Sequence, residues 1–289
     1  VINTYNFESG NKGVRLAITG AVHGNEVCGA IAIQALIDKL NSGEIKLCSG
    51  SLLLIPIANP EAYKKGVRFI DENLNRVFTK FDKPESYEQK IANELTAAVS
   101  GCDVLLDLHS IHTKGWPFIM HFGLFSDDEE RFLNSLDVPY IVEGWAEAYE
   151  RSFPSGKGAN VHTVSFMHSI GKMAVGVECG LHNDISAVET ASRTINKALE
   201  HFGLIEKIGD IRHEKAQHVL MKKVYVRESM EDIFTQDFAH GSEVKKGDVI
   251  VIKKSGEKIV AEDDCLVLFP RPNCPLNEEF FYTGVYKYQ

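Results

Sequence analysis

Ala17-Ile18-Thr19-Gly20-Ala21-Val22-His23-Gly24-Asn25-Glu26 is the stretch from which the fold is read. The apolar run over residues 14–22 predicts a buried strand. It stops at His23. Gly24 and Asn25 are turn formers, and Glu26 opens an apolar-rich helix running to Leu40. His23 is therefore expected at a strand end and Glu26 on the first helical turn. Open α/β sheets bind ligands outside the carboxyl ends of their strands. An imidazole and a carboxylate three residues apart can both reach one small cation from such a turn. A catalytic zinc takes three protein ligands and leaves one position for water. HxxE supplies two, so the third has to come from elsewhere. HxxE alone is common by chance, and its bland reading is a pair of helix caps.

Working outward, residues 51–58 (SLLLIPIA) read as a second buried strand ending at Asn59-Pro60. A polar loop over 59–83 follows, carrying Arg68, Asp71, Asn73, Asn75 and Arg76, groups suited to binding anions. Loops this long inside a compact domain are usually functional. Residues 84–100 predict an amphipathic helix, and 103–108 (DVLLDL) a third buried strand with His109-Ser110 at its end. Residues 117–122 read as strand and 127–136 as helix, while 140–158 fits neither pattern. Residues 160–170 read as helix, and 174–177 as a short strand that delivers Glu178. Residues 184–202 read as helix, with Asp184 or Ser186 as the cap. Strands alternating with helices predict a three-layer α/β/α sandwich around a mostly parallel mixed sheet. After about Gly209 the pattern changes to short strands (219–226, 248–253, 258–261, 266–269) separated by turns. The expected division is a catalytic domain over 1–208 and a small all-β domain over 209–289.

The 289 residues suffice for one large core plus that second domain. A formal charge of −9 argues against a nucleic-acid partner, which needs a basic face. No apolar run approaches the ~20 residues of a membrane helix, so no membrane partner is expected. No signal peptide is visible. The chain begins at Val1 without a Met, which leaves an upstream segment open. The six cysteines form no CxxC pair and several lie in apolar elements. They read as reduced, mostly buried thiols of a cytoplasmic protein. A homo-oligomer stays open.

His109 is the natural third metal ligand. Like His23 it follows a buried strand, so both imidazoles point to one edge. Asp107, two residues earlier, projects to the same side and could orient a ligand histidine. Of the competing histidines (His112, His121, His162, His168, His182), His112 is the best substitute, three residues from His109. Activating water also needs a proton acceptor, and Glu178 fits. A carboxylate at the end of a buried strand is costly unless it has a task or a partner. Cys179 points to the opposite side and reads as packing. No GxSxG occurs, which disfavours a serine hydrolase.

In this order, His23-x-x-Glu26, Arg68, Asn75-Arg76, Asp107-Leu108-His109 and Glu178 resemble the zinc carboxypeptidase-like fold. The closer similarity is to its succinylglutamate desuccinylase/aspartoacylase branch, through HGNE, NP-x7-R-x2-D-x3-NR and DLH. The resemblance implies one Zn²⁺ per chain on His23, Glu26 and His109. It implies Arg68 as the group polarising the scissile carbonyl, Asn75 and Arg76 as holders of a substrate carboxylate, and Glu178 as base and then acid. It also implies departures from aspartoacylase at the amino-acid pocket. His168 stands where that enzyme has an arginine and Phe281 falls where it has a tyrosine, which leaves His168 and the adjacent Tyr282 as the candidate substrate-binding residues there. Both departures argue against an aspartate side chain. The expected function is a zinc-dependent amide hydrolase acting on an N-acyl amino acid or similar small carboxylate-bearing amide. The rivals are a metallocarboxypeptidase acting on peptides and a zinc-binding protein without turnover.

Overall fold

The computed structural model of the chain describes residues 1–123, 126–152, 161–207 and 215–287. In chain order its first part runs β1 (Tyr5–Glu8), β2 (Arg15–Gly20), α1 (Cys28–Ser42), β3 (Ser51–Ile55), α2 (Pro60–Lys65), α3 (Tyr87–Val99) and β4 (Val104–Ile111). Then come β5 (Phe118–Met120), α4 (Asp127–Ser135), β6 (Tyr140–Glu143), α5 (Trp145–Ser152), α6 (Thr163–Ser169), β7 (Met173–Leu181) and α7 (Ile185–His201). β2 lies parallel between β3 and β4, and β4 is parallel to β7. Every residue of β4 is buried. One apolar layer packs side chains of α1, α4 and α7 on the sheet, and the other packs α3 and α6. A strand covered on both faces needs apolar residues at every position, which is why this stretch reads as a continuous run. The expected three-layer sandwich is the fold.

Helix α1 buries Ala30, Ile33, Leu36 and Ile37, a stripe at helical spacing. Fully burying one such Leu or Ile stabilises the fold by roughly 1.5–3 kcal/mol. The helix stops at Gly43, whose left-handed φ of 77° lets its N–H reach Leu40 O. It starts later than the sequence suggests. Glu26 N–H donates to His23 O at 3.0 Å, so these residues close a tight turn, and Val27 caps the helix without a side-chain bond.

Several other boundaries moved. The polar loop contains α2, capped by Asn59, and a 3₁₀ turn over Leu74–Arg76, capped by Asn73. The stretch that fitted neither pattern splits into β6 and α5, its remainder (153–160) lying outside the described residues. Helix α6 begins at Thr163 behind a His162 cap, and Asp184 caps α7. β7 is nine residues long rather than four, so Glu178 sits inside it. β1, half-buried and exposed by turns, pairs antiparallel with β3 at the sheet edge and had no sequence counterpart.

The C-terminal part is all β: β8 (Gln217–Val226), β9 (Ile233–Phe234), β10 (Ser242–Val244), β11 (Val249–Ile252), β12 (Lys258–Val260), β13 (Cys265–Leu268) and β14 (Glu279–Tyr286). The four expected strands are present as β8, β11, β12 and β13. β9, β10 and β14 were not foreseen. Parallel pairing of β6 with β8 carries the main sheet on into β14, β13 and β10. Strands β9, β11 and β12 form a separate three-stranded sheet. The expected boundary between 208 and 209 falls outside the described residues. All six cysteines are free, and Cys28, Cys102, Cys179 and Cys274 are buried. Among the described residues no helix is long and apolar enough to cross a membrane.

Candidate active site

Ligand atoms of His23, Glu26 and His109 all lie within 4.8 Å of one another, in a buried cluster. His23 hangs on the turn after β2, Glu26 precedes α1, and His109 projects from within β4. Each imidazole turns Nδ1 to the Glu26 carboxylate, at 2.9 Å in both cases. The second nitrogen of each is held from behind, His23 Nε2 by Asn73 Oδ1 (3.0 Å) and His109 Nε2 by Asp107 Oδ2 (2.7 Å). Asp107 is itself fixed by hydroxyl donors from Thr19 (2.7 Å) and Thr163 (2.6 Å). His23 Nδ1 is close to Glu26 but lacks hydrogen-bond alignment, and it has no other hydrogen-bond partner. Two nitrogens and one carboxylate aimed at a common point, with oriented partners behind them, fit the donor set of a zinc site. His112, the substitute considered, is elsewhere, with Nε2 on Pro270 O at 3.2 Å.

Charges in this cluster are strongly perturbed. Burial, reinforced by Arg68, lowers the His23 pKa to about 4. Burial alone would raise Glu26, but His23, His109 and Arg68 outweigh it and hold the carboxyl well below its usual range. Burial opposes a charge on His109, yet Asp107 and Glu26 raise its pKa well above 6.5. Glu178 stands beside His109 in the β4–β7 register. Burial and the neighbouring Glu26 charge raise its pKa to about 8, and its Oε2 has no hydrogen-bond partner. Cys179, next in the chain, packs into the core as expected.

The loop before α3 brings the arginines. Gly24 N–H donates to Arg68 O at 3.1 Å. A Cβ on Gly24 would stand 2.1 Å from the Ala62 backbone, so only glycine lets the two segments meet. Buried Glu88 then accepts N–H bonds from Ile70, Asp71 and Glu72 and from the Asn59 amide. Arg68 Nη1 lies 2.7 Å from Glu26 Oε1. Asn75 Nδ2 approaches His109 Nε2 at 3.5 Å, its Oδ1 accepts from Thr163 N–H, and Arg76 is exposed next to it. The sequence reading placed Asn73 among the anion-binding groups of the loop, not behind His23, and assigned no role to Thr19, Thr163 or Glu88. Of these only Asn73 had a local signal, as a cap for the turn that holds Asn75.

Residues 12–201 match the profile of the succinylglutamate desuccinylase/aspartoacylase catalytic domain. The chain belongs to the succinylglutamate desuccinylase/aspartoacylase family. It is 38% identical over 68 residues to succinylglutamate desuccinylase of Pseudomonas paraeruginosa, covering 24% of this chain and 20% of that one. It is 35% identical over 109 residues to the N-acyl-aromatic-L-amino acid amidohydrolase (carboxylate-forming) of Rattus norvegicus, covering 34% and 33%. These matches thus span a third or less of the relatives' own length. The crystal structure of a succinylglutamate desuccinylase/aspartoacylase from Rhodobacter sphaeroides superposes with a TM-score of 0.79 at 18% identity, covering 99% of this chain and 89% of that one.

Two substrate positions suggested by the family resemblance need correction. His168 faces away from the cluster. Its Nε2 bonds Glu129 Oε1 (2.7 Å) on α4, near Ala174 at the start of β7. The last turn of α6 points it there, while the cap of the same helix, His162, lies close enough to Arg76 for that charge to lower its pKa. Phe281 is also away from the site, buried and stacked on Tyr225 at 4.3 Å. Tyr282 points the other way, toward Trp145 and Tyr149, where the Arg76 charge acts on it. Alternation along β14 decides this, with a register shift between Glu279 and Phe281 that the sequence did not reveal.

Proposed function

We propose that this chain is a zinc-dependent hydrolase that cleaves the amide of an N-acyl amino acid or a similar small carboxylate-bearing amide. The observation that carries the reading is the convergence of His23, Glu26 and His109 with Glu178 on the adjoining strand. Zinc on those three residues would acidify a bound water and polarise the amide carbonyl. Glu178 takes the proton of the attacking water and returns it to the leaving nitrogen. A pKa raised toward neutrality suits a group that must do both. Arg68, whose Nη1 pairs with Glu26 at 2.7 Å, is the group assigned here to stabilise the charge that develops on the carbonyl oxygen. Asn75 and Arg76 hold the substrate carboxylate, for which a guanidinium fork is well shaped. Tyr282, on which the Arg76 charge acts, is proposed to face the same substrate, and His168 is not.

The preference for small substrates over peptides is supported by two contacts between the segment after β4 and the C-terminal β region. His112 bonds Pro270 O, and His240 N–H donates to Lys114 O at 2.7 Å. We propose the same division of labour for the chain, with catalysis in residues 1–208 and a covering role for 209–289. The test is metal analysis of the purified protein together with a panel of acetyl- and succinyl-amino acids. One zinc per chain and hydrolysis that a chelator abolishes are expected. Hydrolysis that survives complete metal removal would refute the mechanism, and cleavage of peptides in preference to acyl amino acids would favour the carboxypeptidase.

A further inference from the structure

Beside Arg76 lies a group of rings that the proposed mechanism does not use. Phe122 packs on His162 at 4.0 Å and on Trp145 at 5.6 Å. Trp145 meets Tyr282 at 6.4 Å, and Tyr149 meets Tyr282 at 6.2 Å. Phe122, Trp145 and Tyr149 are only partly buried, so part of their surface stays open. The Trp145 indole N–H is occupied by Val142 O (2.8 Å), which leaves the rest of the indole as an apolar surface. Thr163 N–H donates to Asn75 Oδ1 at 3.3 Å and Val77 pairs with Val161, so the backbone of Arg76 runs alongside His162, and its charge acts on His162, Tyr149 and Tyr282.

The polar atoms of this wall are arranged against an anion. Tyr149 O–H donates to Glu279 Oε1 at 2.9 Å and shares a second bond with Tyr282 at 2.9 Å. Arg271, the other cation at this end, is paired with Glu278 at 3.1 Å and Glu279 at 3.5 Å. His162 is buried, and its ring accepts from Ser165 N–H as a helix cap. A carboxylate held on Arg76 therefore places the rest of its amino acid against aromatic faces with a glutamate behind them. A second carboxylate there would lose its hydration and meet a like charge.

We infer that the amino-acid part of the ligand bound at this site carries an aromatic or bulky apolar side chain, seated against Phe122, Trp145, Tyr149 and Tyr282, and that Glu279 helps to exclude acidic ones. The inference rests on the proposed role of Arg76 in binding the substrate carboxylate.

Its test uses the zinc-loaded protein with the N-acetyl derivatives of phenylalanine, leucine, alanine and aspartate at pH 7.5. Burying a large apolar side chain predicts kcat/KM for phenylalanine roughly tenfold to a hundredfold above alanine, with aspartate last. Trp145→Ala and, as an independent variant, Phe122→Ala should each cut the phenylalanine-to-alanine ratio about tenfold, on the same burial argument. Glu279→Gln should raise aspartate relative to phenylalanine. Calorimetric binding of acetylphenylalanine and acetylaspartate to Glu178→Gln gives a readout that needs no turnover. Aspartate leading either panel overturns the inference, as does an equal loss for all substrates in both ring variants. Cleavage without side-chain preference sinks this inference alone. Absent cleavage with tighter acetylphenylalanine binding sinks the hydrolase reading and leaves this one standing.

Discussion

At neutral pH the Glu178 carboxyl in the metal-free protein is held largely protonated by burial and by Glu26. Its folded pKa of about 8 exceeds the unfolded value of 4.5, so stability falls as pH climbs from 4.5 to 8. Glu178→Gln should therefore stabilise the metal-free protein at pH 8, on the order of a few kcal/mol at ~1.4 kcal/mol per pKa unit, and not at pH 4. The same variant should keep zinc and lose roughly 10²–10⁴ in turnover. Thermal melts at the two pH values and metal analysis check both halves, and normal kcat would end the assignment. The two arginines separate by kinetics. Arg76→Ala should mainly raise KM and Arg68→Ala mainly lower kcat. The reverse split would exchange their roles.

Among the elements, the segment between α2 and α3 matters most to the site, because it delivers Arg68, Asn73, Asn75 and Arg76 together. It is shaped by one buried carboxylate. Glu88 satisfies three successive backbone N–H groups, which would otherwise be left without partners. Each buried donor left unsatisfied costs about 1–3 kcal/mol. Glu88→Ala is thus expected to destabilise by several kcal/mol, and Glu88→Gln, which keeps one good acceptor, by less. Because the metal ligands sit on other elements, Glu88→Gln should still load zinc while its kcat/KM drops at least about tenfold through misplaced arginines. Zinc loading and KM measured on one preparation separate this from general unfolding. Unaltered kinetics would show that the loop holds its shape without Glu88.

Across the whole molecule, burial has left several imidazoles reluctant to charge. The pKa values of His23 and His112 are lowered to about 4, and those of His162 and His240 to about 3, in each case chiefly by desolvation. Unfolded, these rings titrate near 6.5, so stability is present above that value and lost as pH falls toward 4 and then 3. Glu178 works in the opposite direction above pH 4.5 and offsets part of this loss. His109, raised above 6.5, is protonated in both states at about pH 5 and adds no slope there. Denaturant titrations of the metal-free protein from pH 7 to 4 should show a steep loss of stability. A flat profile would mean that these histidines are hydrated in solution.

The sequence by itself determined the layered α/β fold and the trio His23, Glu26 and His109, whose donor atoms the fold brings together. Both rest on local signals: continuous apolar runs for strands buried on both faces, and histidines or glutamate where each apolar run gives way to polar residues. Glu178 was legible from its place after an apolar run, whereas the loop arginines stood out only as polar groups of a long loop, and their roles came from the family resemblance. The tertiary structure alone decided what stands behind and around them. Asp107 draws hydroxyls from Thr19 and Thr163, residues 88 and 56 positions away in the chain. His168 and His162 are six residues apart in sequence, yet only His162 comes near Arg76, because α6 ends on Glu129 at one end and near the site at the other. Phe281 and Tyr282 face opposite ways because a strand alternates sides at every residue, and the pairing of β14 with β8 turns Tyr282 toward Tyr149 and Phe281 onto Tyr225. Long-range pairing sets such parities, and no local pattern in the chain records them.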